Sequence, residues 1–202
     1  MIYLNNYGWN DKLSQLKQES TYNALTHGRI SIVHRTCYEV VSENGLFQCE
    51  LTGNMMYGKS DIELPCTGDW VLFQPFDEHK GIIVDMLPRE RTLYRKKNGT
   101  VADKQAIASY VDKAFIVQSL DDNFNVRRAE RFMVQMQEEN INPVLVFNKA
   151  DLGFDEQKVE EQIRHIARQI PVFFTSIHQP QTILQLRESI SAGETVVFVG
   201  SS

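Results

Sequence analysis

The pattern of apolar residues changes near Pro88, and this change limits the possible folds more than any other feature of the sequence. Before Pro88, short runs of β-branched and aromatic residues are separated by Gly, Asn and Pro, as in half-buried strands. The five runs cover residues 29–33, 38–41, 46–51, 69–73 and 81–87. Five short strands in about sixty residues predict a small closed β barrel, usually the oligonucleotide/oligosaccharide-binding (OB) barrel. An SH3-like barrel fits the pattern nearly as well.

After Pro88 the sequence alternates between strand-like and helix-like segments. The predicted strands are 114–120, 143–147, 172–175 and 195–199, and the predicted helices are 127–140, 155–170 and 182–190. Such alternation predicts an α/β domain with a parallel sheet that is covered by helices on both faces. Ligands of these sheets bind at the carboxyl ends of the strands, so the residues just after each strand are the candidate site residues.

These patterns divide the chain into four segments. They are an N-terminal extension (1–26) with a short amphipathic helix, the barrel (27–88), a basic linker (89–108) and the α/β domain (109–202). Because 202 residues exceed a typical single domain, two separate cores are expected.

Composition excludes several classes of protein. The N-terminus lacks a basic region followed by an apolar stretch, and no apolar run approaches the length of a bilayer span, so we expect a cytoplasmic protein without a membrane partner. Cys37, Cys49 and Cys66 are an odd set without C-x-x-C spacing, which argues against a disulfide framework or a metal site in this segment. The net charge of −5 means that any contact with RNA must come from a local basic patch.

The strand at 143–147 is followed by Asn148-Lys149-Ala150-Asp151, an N-K-x-D sequence that we call the guanine motif. A carboxylate at the last position can accept hydrogen bonds from the ring N–H and the exocyclic amine of guanine. Adenine offers no such donors there, so the carboxylate would be left unpaired. The lysine stem can lie across the base, and the asparagine can tie the loop to neighbouring backbone. The alternative is an ordinary polar turn that closes a strand.

Two further strand ends support a nucleotide site. The strand at 172–175 runs into Ser176 and Ile177, where a backbone N–H can contact the guanine carbonyl oxygen. The last strand runs into Gly200-Ser201-Ser202, which is how a phosphate loop of the form G-x-x-x-x-G-K-[ST] begins. The alternative for this last sequence is a cloning remnant. The GTP-binding residues predicted here are therefore the three guanine-motif residues Asn148, Lys149 and Asp151 together with Ser176, Ile177, Gly200, Ser201 and Ser202.

With the guanine motif ahead of the phosphate loop, the chain resembles the circularly permuted GTPases that depend on the small ribosomal subunit, the RsgA or YjeQ family. The resemblance covers nearly the whole chain. Its motifs are Tyr7-Gly8-Trp9-Asn10, Gly28-Arg29-Ile30, Gly68-Asp69-Trp70-Val71, Leu87-Pro88-Arg89, Gln105-Ala106-Ile107-Ala108, Val111-Asp112, Asn125-Val126-Arg127-Arg128, Glu130-Arg131 and Thr195 to Ser202, which leads into the family's G-S-S-G-V-G-K-S loop. The sequence departs from the family pattern at Ile177, where an alanine usually follows the serine.

The resemblance implies an OB barrel that contacts 16S ribosomal RNA, a permuted and here incomplete P-loop GTPase domain, and a C-terminal zinc-binding region. It implies that the full-length protein is a monomeric GTP hydrolase in late maturation of the small (30S) ribosomal subunit, with Mg²⁺ bound beside GTP. The chain is expected to stop inside the phosphate loop. We therefore expect no catalytic residue and no Mg²⁺ or Zn²⁺ ligand within residues 1–202, and little GTP affinity or turnover for these residues alone.

The densest basic stretch lies just after Pro88. It contains Arg89, Arg91, Arg95, Lys96 and Lys97, with Tyr94 among them as a side chain that can stack on a base. We predict that these residues contact RNA, together with Arg29 at the start of the barrel. The alternative is a solvated interdomain linker. For the protein as a whole, the alternatives are a non-catalytic RNA-binding module with an α/β scaffold and a P-loop protein that uses ATP.

Overall fold

The computed structural model describes residues 1–96, 104–121, 124–153, 156–167 and 170–200. The chain divides into two compact units, Met1–Val111 and Asp112–Ser202. None of the helices in these described ranges has the length and apolar character that crossing a bilayer requires.

The first unit contains the predicted five-stranded barrel. Its strands are β1 (Thr26–Val33), β2 (Tyr38–Ser42), β3 (Gly45–Leu51), β4 (Trp70–Asp77) and β5 (Lys80–Met86). They follow the order β1-β2-β3-β5-β4, and β4 pairs with β1 to close the barrel. All pairs are antiparallel except β3 with β5. This arrangement confirms the predicted OB-type barrel and each of its five strands.

Two helices accompany the barrel. The helix α1 (Asp11–Glu19) confirms the predicted amphipathic helix, and it begins where the Asn10 side chain accepts a hydrogen bond from the Leu13 N–H. A short 3₁₀ turn at Leu4–Tyr7 and the one-turn helix α2 (Gly53–Met56), which follows β3, were not predicted. Both are only four residues long, too short for a periodic apolar pattern.

The barrel strands β1 and β2 approach each other closely at Gly28, beside the barrel core. Ile30, Phe47, Val71 and Phe73 are among its buried side chains. Gly28 lies on β1, where a Cβ atom would stand 2.5 Å from Val40 Cγ1 and 2.6 Å from the backbone oxygen of Val41. Only glycine fits at this position, because one of those neighbours is backbone and cannot rotate away.

The segment predicted as a linker contains two strands, β6 (Leu93–Lys96) and β7 (Lys104–Ala108), which form an antiparallel pair. Both belong to the first unit. The sequence of β6 is Leu-Tyr-Arg-Lys, and half of its four residues are charged. Because charged residues are uncommon in strands, the segment was predicted to be a linker.

The second unit is the predicted α/β domain. Its elements are β8 (Lys113–Ser119), α3 (Val126–Glu138), β9 (Asn142–Asn148), α4 (Glu156–Ala167), β10 (Val172–Thr175), α5 (Pro180–Glu188) and β11 (Val196–Gly200). The strands are all parallel, in the order β10-β9-β8-β11. Apolar residues of α3 and α4 cover one face of the sheet, and Leu186 of α5 packs on the other, which confirms the predicted layers.

Gly28→Ala is expected to destabilise the barrel by about 1–3 kcal/mol, because the added methyl group overlaps Val40 and the backbone of Val41. Urea unfolding followed by tryptophan fluorescence measures this effect in the first unit, which holds both tryptophans, Trp9 and Trp70. Gly53→Ala is the matched control, since its methyl group would meet only Tyr57 atoms at 3.7 Å or more. Equal midpoints for the two variants would contradict the close approach at Gly28.

Candidate functional site

Asn148 joins three strand ends at the carboxyl edge of the parallel sheet. It is the last residue of β9 and lies level with Ser119 of β8 and Thr175 of β10. The Thr175 hydroxyl donates a hydrogen bond to Asn148 Oδ1 at 3.4 Å, and the Leu120 N–H donates to the Asn148 backbone oxygen at 2.9 Å. The asparagine therefore ties the guanine motif to both neighbouring strands.

Lys149 adopts a left-handed backbone conformation, with φ 64° and ψ 34°, directly before the 3₁₀ turn Ala150–Leu152. A residue other than glycine rarely adopts this conformation, and its cost is tolerated mainly at functional sites. The Lys149 Nζ lies 2.7 Å from Asp121 Oδ2, in the loop that follows β8. The sharp turn at Lys149 places Asp151 on the surface beside the end of β10.

The Asp151 carboxylate is exposed and is held by Ser176, whose hydroxyl donates a hydrogen bond to Asp151 Oδ1. This hydrogen bond lowers the pKa of Asp151 below its ordinary value, and the nearby charge of His178 acts in the same direction. Ser176 is itself fully buried. Its N–H donates to Thr182 Oγ1 at 3.0 Å, and its hydroxyl oxygen accepts from the His178 N–H at 3.0 Å.

The other predicted nucleotide residues lie along the same edge. Ile177 follows Ser176 and exposes 77% of its surface. Gly200 ends β11 level with Val117, and a Cβ atom there would stand 2.3 Å from the Val117 backbone oxygen. Ser201 and Ser202 lie outside the described residues. The structure thus joins Asp151 to Ser176 by a hydrogen bond, and it places Asn148 and Lys149 beside them, bound to Thr175 and Asp121. Gly200 ends a strand two places away from β9 in the sheet.

This arrangement can bind a flat ligand that donates two hydrogen bonds from one edge. Asp151 offers an ionised acceptor, Lys149 offers an apolar stem that ends in a charge, and the strand leading to Gly200 ends at the same edge of the sheet. A family model described as the RsgA GTPase matches residues 86–202, which include all of these residues. The chain belongs to the RsgA GTPase family.

Similar proteins agree with this assignment. The small ribosomal subunit biogenesis GTPase RsgA 1 of Bacteroides thetaiotaomicron is 74% identical over 97% of this chain. The chain spans 55% of that protein's length, or about half the length of the curated relatives it matches.

Two solved structures share the fold of this chain. YjeQ from Thermotoga maritima superposes with a TM-score of 0.67 at 24% identity, over 88% of this chain and 60% of that chain. YloQ, a circularly permuted GTPase, superposes with a TM-score of 0.63 at 22% identity, over 91% of this chain and 62% of that chain. At these identities the comparison supports the fold alone.

Two residues of the site, Asp121 and Thr182, were not predicted from the sequence. Asp121 follows a predicted buried strand, so its position at a strand end was the available signal. Thr182 lies within a predicted helix, and nothing in the sequence indicated that its hydroxyl would bind the Ser176 N–H. Contacts of this kind depend on how a loop turns back, which apolar periodicity does not encode.

Two of the predicted RNA ligands, Arg29 and Arg89, are largely enclosed by other residues of the first unit. Arg29 is 8% exposed, and its guanidinium donates to the backbone oxygens of Tyr7, Gly68 and Ser109. It also lies 5.5 Å from the centre of the Trp70 ring. The guanidinium is therefore bound mainly to backbone oxygens of its own unit, and contact of Arg29 with RNA stays a prediction.

The guanidinium of Arg89 is the charge partner of the buried Asp69 carboxylate. Its Nη2 lies 2.6 Å from Oδ2 of Asp69, whose side chain is fully buried. Its Nη1 donates to the backbone oxygen of Ile62, and its Nη2 also donates to that of Leu64. Burial lowers the pKa of Arg89, but the hydrogen bonds and charge of Asp69 outweigh burial, and the net shift is upward. Arg89 is therefore a structural residue of the first unit, and its contact with RNA stays a prediction.

The rest of the basic stretch is more accessible. Arg91 is half-buried, with φ 43°, and donates to the Val111 backbone oxygen at 3.1 Å. Tyr94 is half-buried, with Lys104 Nζ 5.7 Å from its ring centre. Arg95 is exposed. Lys96 ends β6, but its side chain and the whole of Lys97 lie outside the described part of the chain.

Arg89→Met is expected to destabilise the first unit by about 3–5 kcal/mol, because it leaves the Asp69 carboxylate buried without its charge partner. Arg95→Met is the control and is expected to change stability by less than about 0.5 kcal/mol, since Arg95 is exposed. Urea unfolding followed by tryptophan fluorescence compares the two. If both variants unfold at the same urea concentration as the unchanged chain, Arg89 has no structural role.

Proposed function

We propose that the protein containing this chain is a GTPase of small-subunit maturation, which hydrolyses GTP to GDP and phosphate. The observation that carries the proposal is the Asp151 carboxylate, held by Ser176 beside the exposed loop at Ile177. The curated relative with 74% identity is named a small ribosomal subunit biogenesis GTPase, which supports the same function here.

In this proposal, Asp151 reads the base. Its carboxylate accepts hydrogen bonds from the guanine ring N–H and exocyclic amine, and the hydrogen bond from Ser176 favours its ionised form. An adenine at the same place would leave the carboxylate unpaired, which disfavours ATP strongly. The methylene groups of Lys149 cover one face of the base, and the Ile177 N–H donates to the guanine carbonyl oxygen.

The phosphates lie beyond Gly200 in the same proposal. Gly200, Ser201 and Ser202 begin a loop whose backbone N–H groups surround the phosphates. Hydrolysis in such enzymes comes from positioning and charge stabilisation. No residue of this chain is assigned a catalytic role, and none is assigned to the Mg²⁺ that accompanies GTP or to a C-terminal Zn²⁺. Both ions are proposed for the complete protein only.

The proposed partner is the small ribosomal subunit, through its 16S ribosomal RNA. Among the described residues of the basic stretch, Arg95 is exposed and available for phosphate contact, with Tyr94 beside it as a partly accessible ring. Lys96 and Lys97 continue this stretch in the sequence and remain part of the proposal. With this partner, the protein is proposed to be a monomer in the cytoplasm that does not bind a membrane.

Asp151→Asn is expected to weaken GTP binding at least roughly a hundredfold and to favour XTP, because an amide can donate to the xanthine oxygen that replaces the guanine amine. Calorimetric titration of the protein expressed from its complete gene, with GTP, XTP and ATP, measures this change. Asp77→Asn, an exposed aspartate of the barrel, is the matched control and is expected to bind GTP normally.

Two results would reject the proposed function. Equal affinity of the unchanged protein for GTP and ATP would remove the guanine assignment. RNA binding without any nucleotide binding would instead identify a non-catalytic RNA-binding module.

A further inference from the structure

The fold brings a carboxylate, Asp121, to the ammonium group of Lys149. The strands β8 and β9 run parallel, with Ser119 level with Asn148. The Leu120 N–H then donates to the Asn148 backbone oxygen at 2.9 Å, which holds the chain leaving β8 against the guanine motif. Asp121 follows directly, and its Oδ2 lies 2.7 Å from Lys149 Nζ.

This ion pair limits the rotamers available to a half-exposed lysine side chain. The Lys149 side chain is 50% exposed and that of Asp121 is 25% exposed. A lysine stem samples many rotamers, and ordering it when a ligand binds reduces affinity. The left-handed backbone fixes the start of the Lys149 stem, and Asp121 fixes its charged end.

We propose that Asp121 is a positioning residue for guanine-nucleotide binding. By holding the ammonium group, it keeps the methylene stem of Lys149 in the orientation that covers a bound guanine. This inference rests on the function proposed above. Asp121 does not contact the base in this account, so base selection stays with Asp151. Loss of the Asp121 charge therefore weakens binding of guanine nucleotides and leaves the preference for GDP over XDP unchanged.

A double-mutant cycle tests the proposal with the protein expressed from its complete gene. The variants are Asp121→Asn, Lys149→Met and the two together, and GDP and XDP affinities are measured by calorimetry. Asp121→Asn is expected to raise the GDP dissociation constant about three- to tenfold, with the GDP-to-XDP ratio unchanged. The double variant is expected to bind within about twofold of Lys149→Met alone, because Asp121 acts only through Lys149.

The matched control is Glu194→Gln. It removes another ion pair of the same unit, Lys113 Nζ to Glu194 Oε2, also 2.7 Å long and with 24% exposure of the carboxylate. Lys113 begins β8, so this pair lies at the amino edge of the sheet, and GDP affinity is expected to stay unchanged. Asp121→Glu keeps the charge and is expected to bind GDP within about threefold of the unchanged protein. If Asp121→Asn does not fold, Asp121→Ser takes its place with the same expectations.

The outcomes separate this inference from the function on which it rests. If the unchanged protein does not bind GDP, the guanine-nucleotide function fails. If it binds GDP but Asp121→Asn binds equally well, the function stands and the inference is overturned. The inference is also overturned if the double variant raises the GDP dissociation constant by the product of the two single-variant factors. A change in the ratio of GDP affinity to XDP affinity with Asp121→Asn would overturn it as well.

Discussion

The hydrogen bond from the Ser176 hydroxyl to Asp151 is the interaction on which the candidate site depends. It joins the guanine motif at the end of β9 to the loop after β10, and so links two neighbouring strand ends. Ser176 is fully buried, its N–H is bound by Thr182 Oγ1, and its hydroxyl oxygen accepts the His178 N–H. The hydroxyl proton is thereby directed at the carboxylate. An exposed aspartate is thereby oriented as an acceptor before any ligand binds, so less conformational entropy is lost on binding.

Positive charge has different uses in the two units. In the barrel unit, Arg29 and Arg89 bind backbone oxygens and the buried Asp69, so they stabilise the fold and leave Arg95 as the exposed cation of the described basic stretch. In the α/β unit, the cation of Lys149 is restrained by Asp121 at the rim of the site. Part of the positive charge of this chain, whose net charge is −5, is therefore used within its own structure. Fewer cations remain for RNA, so any RNA contact must come from a local basic patch.

The sequence predicted the elements of the fold better than the partners of individual side chains. Apolar periodicity located the five barrel strands and the alternating strands and helices, because burial on one face imposes that period. It missed β6, whose Leu-Tyr-Arg-Lys sequence carries no such period, and β7, its partner strand. The position of Asp151 at a strand end was predictable from topology. Its bond to Ser176, the Lys149–Asp121 pair and the burial of Arg29 were not, because they depend on loop paths and on which backbone oxygens a closed barrel leaves without partners.

The most direct test of this account is the pKa of the Asp151 carboxyl group, measured by ¹³C NMR titration of the chain labelled at aspartate Cγ. The account predicts a pKa below the ordinary aspartate value in the unchanged chain, because the Ser176 hydroxyl stabilises the ionised form. Ser176→Ala removes that donor and should raise the pKa toward the ordinary value. Ser189→Ala, whose hydroxyl donates to the Leu186 backbone oxygen, should leave it unchanged. The same Asp151 pKa in Ser176→Ala and in the unchanged chain would contradict the account.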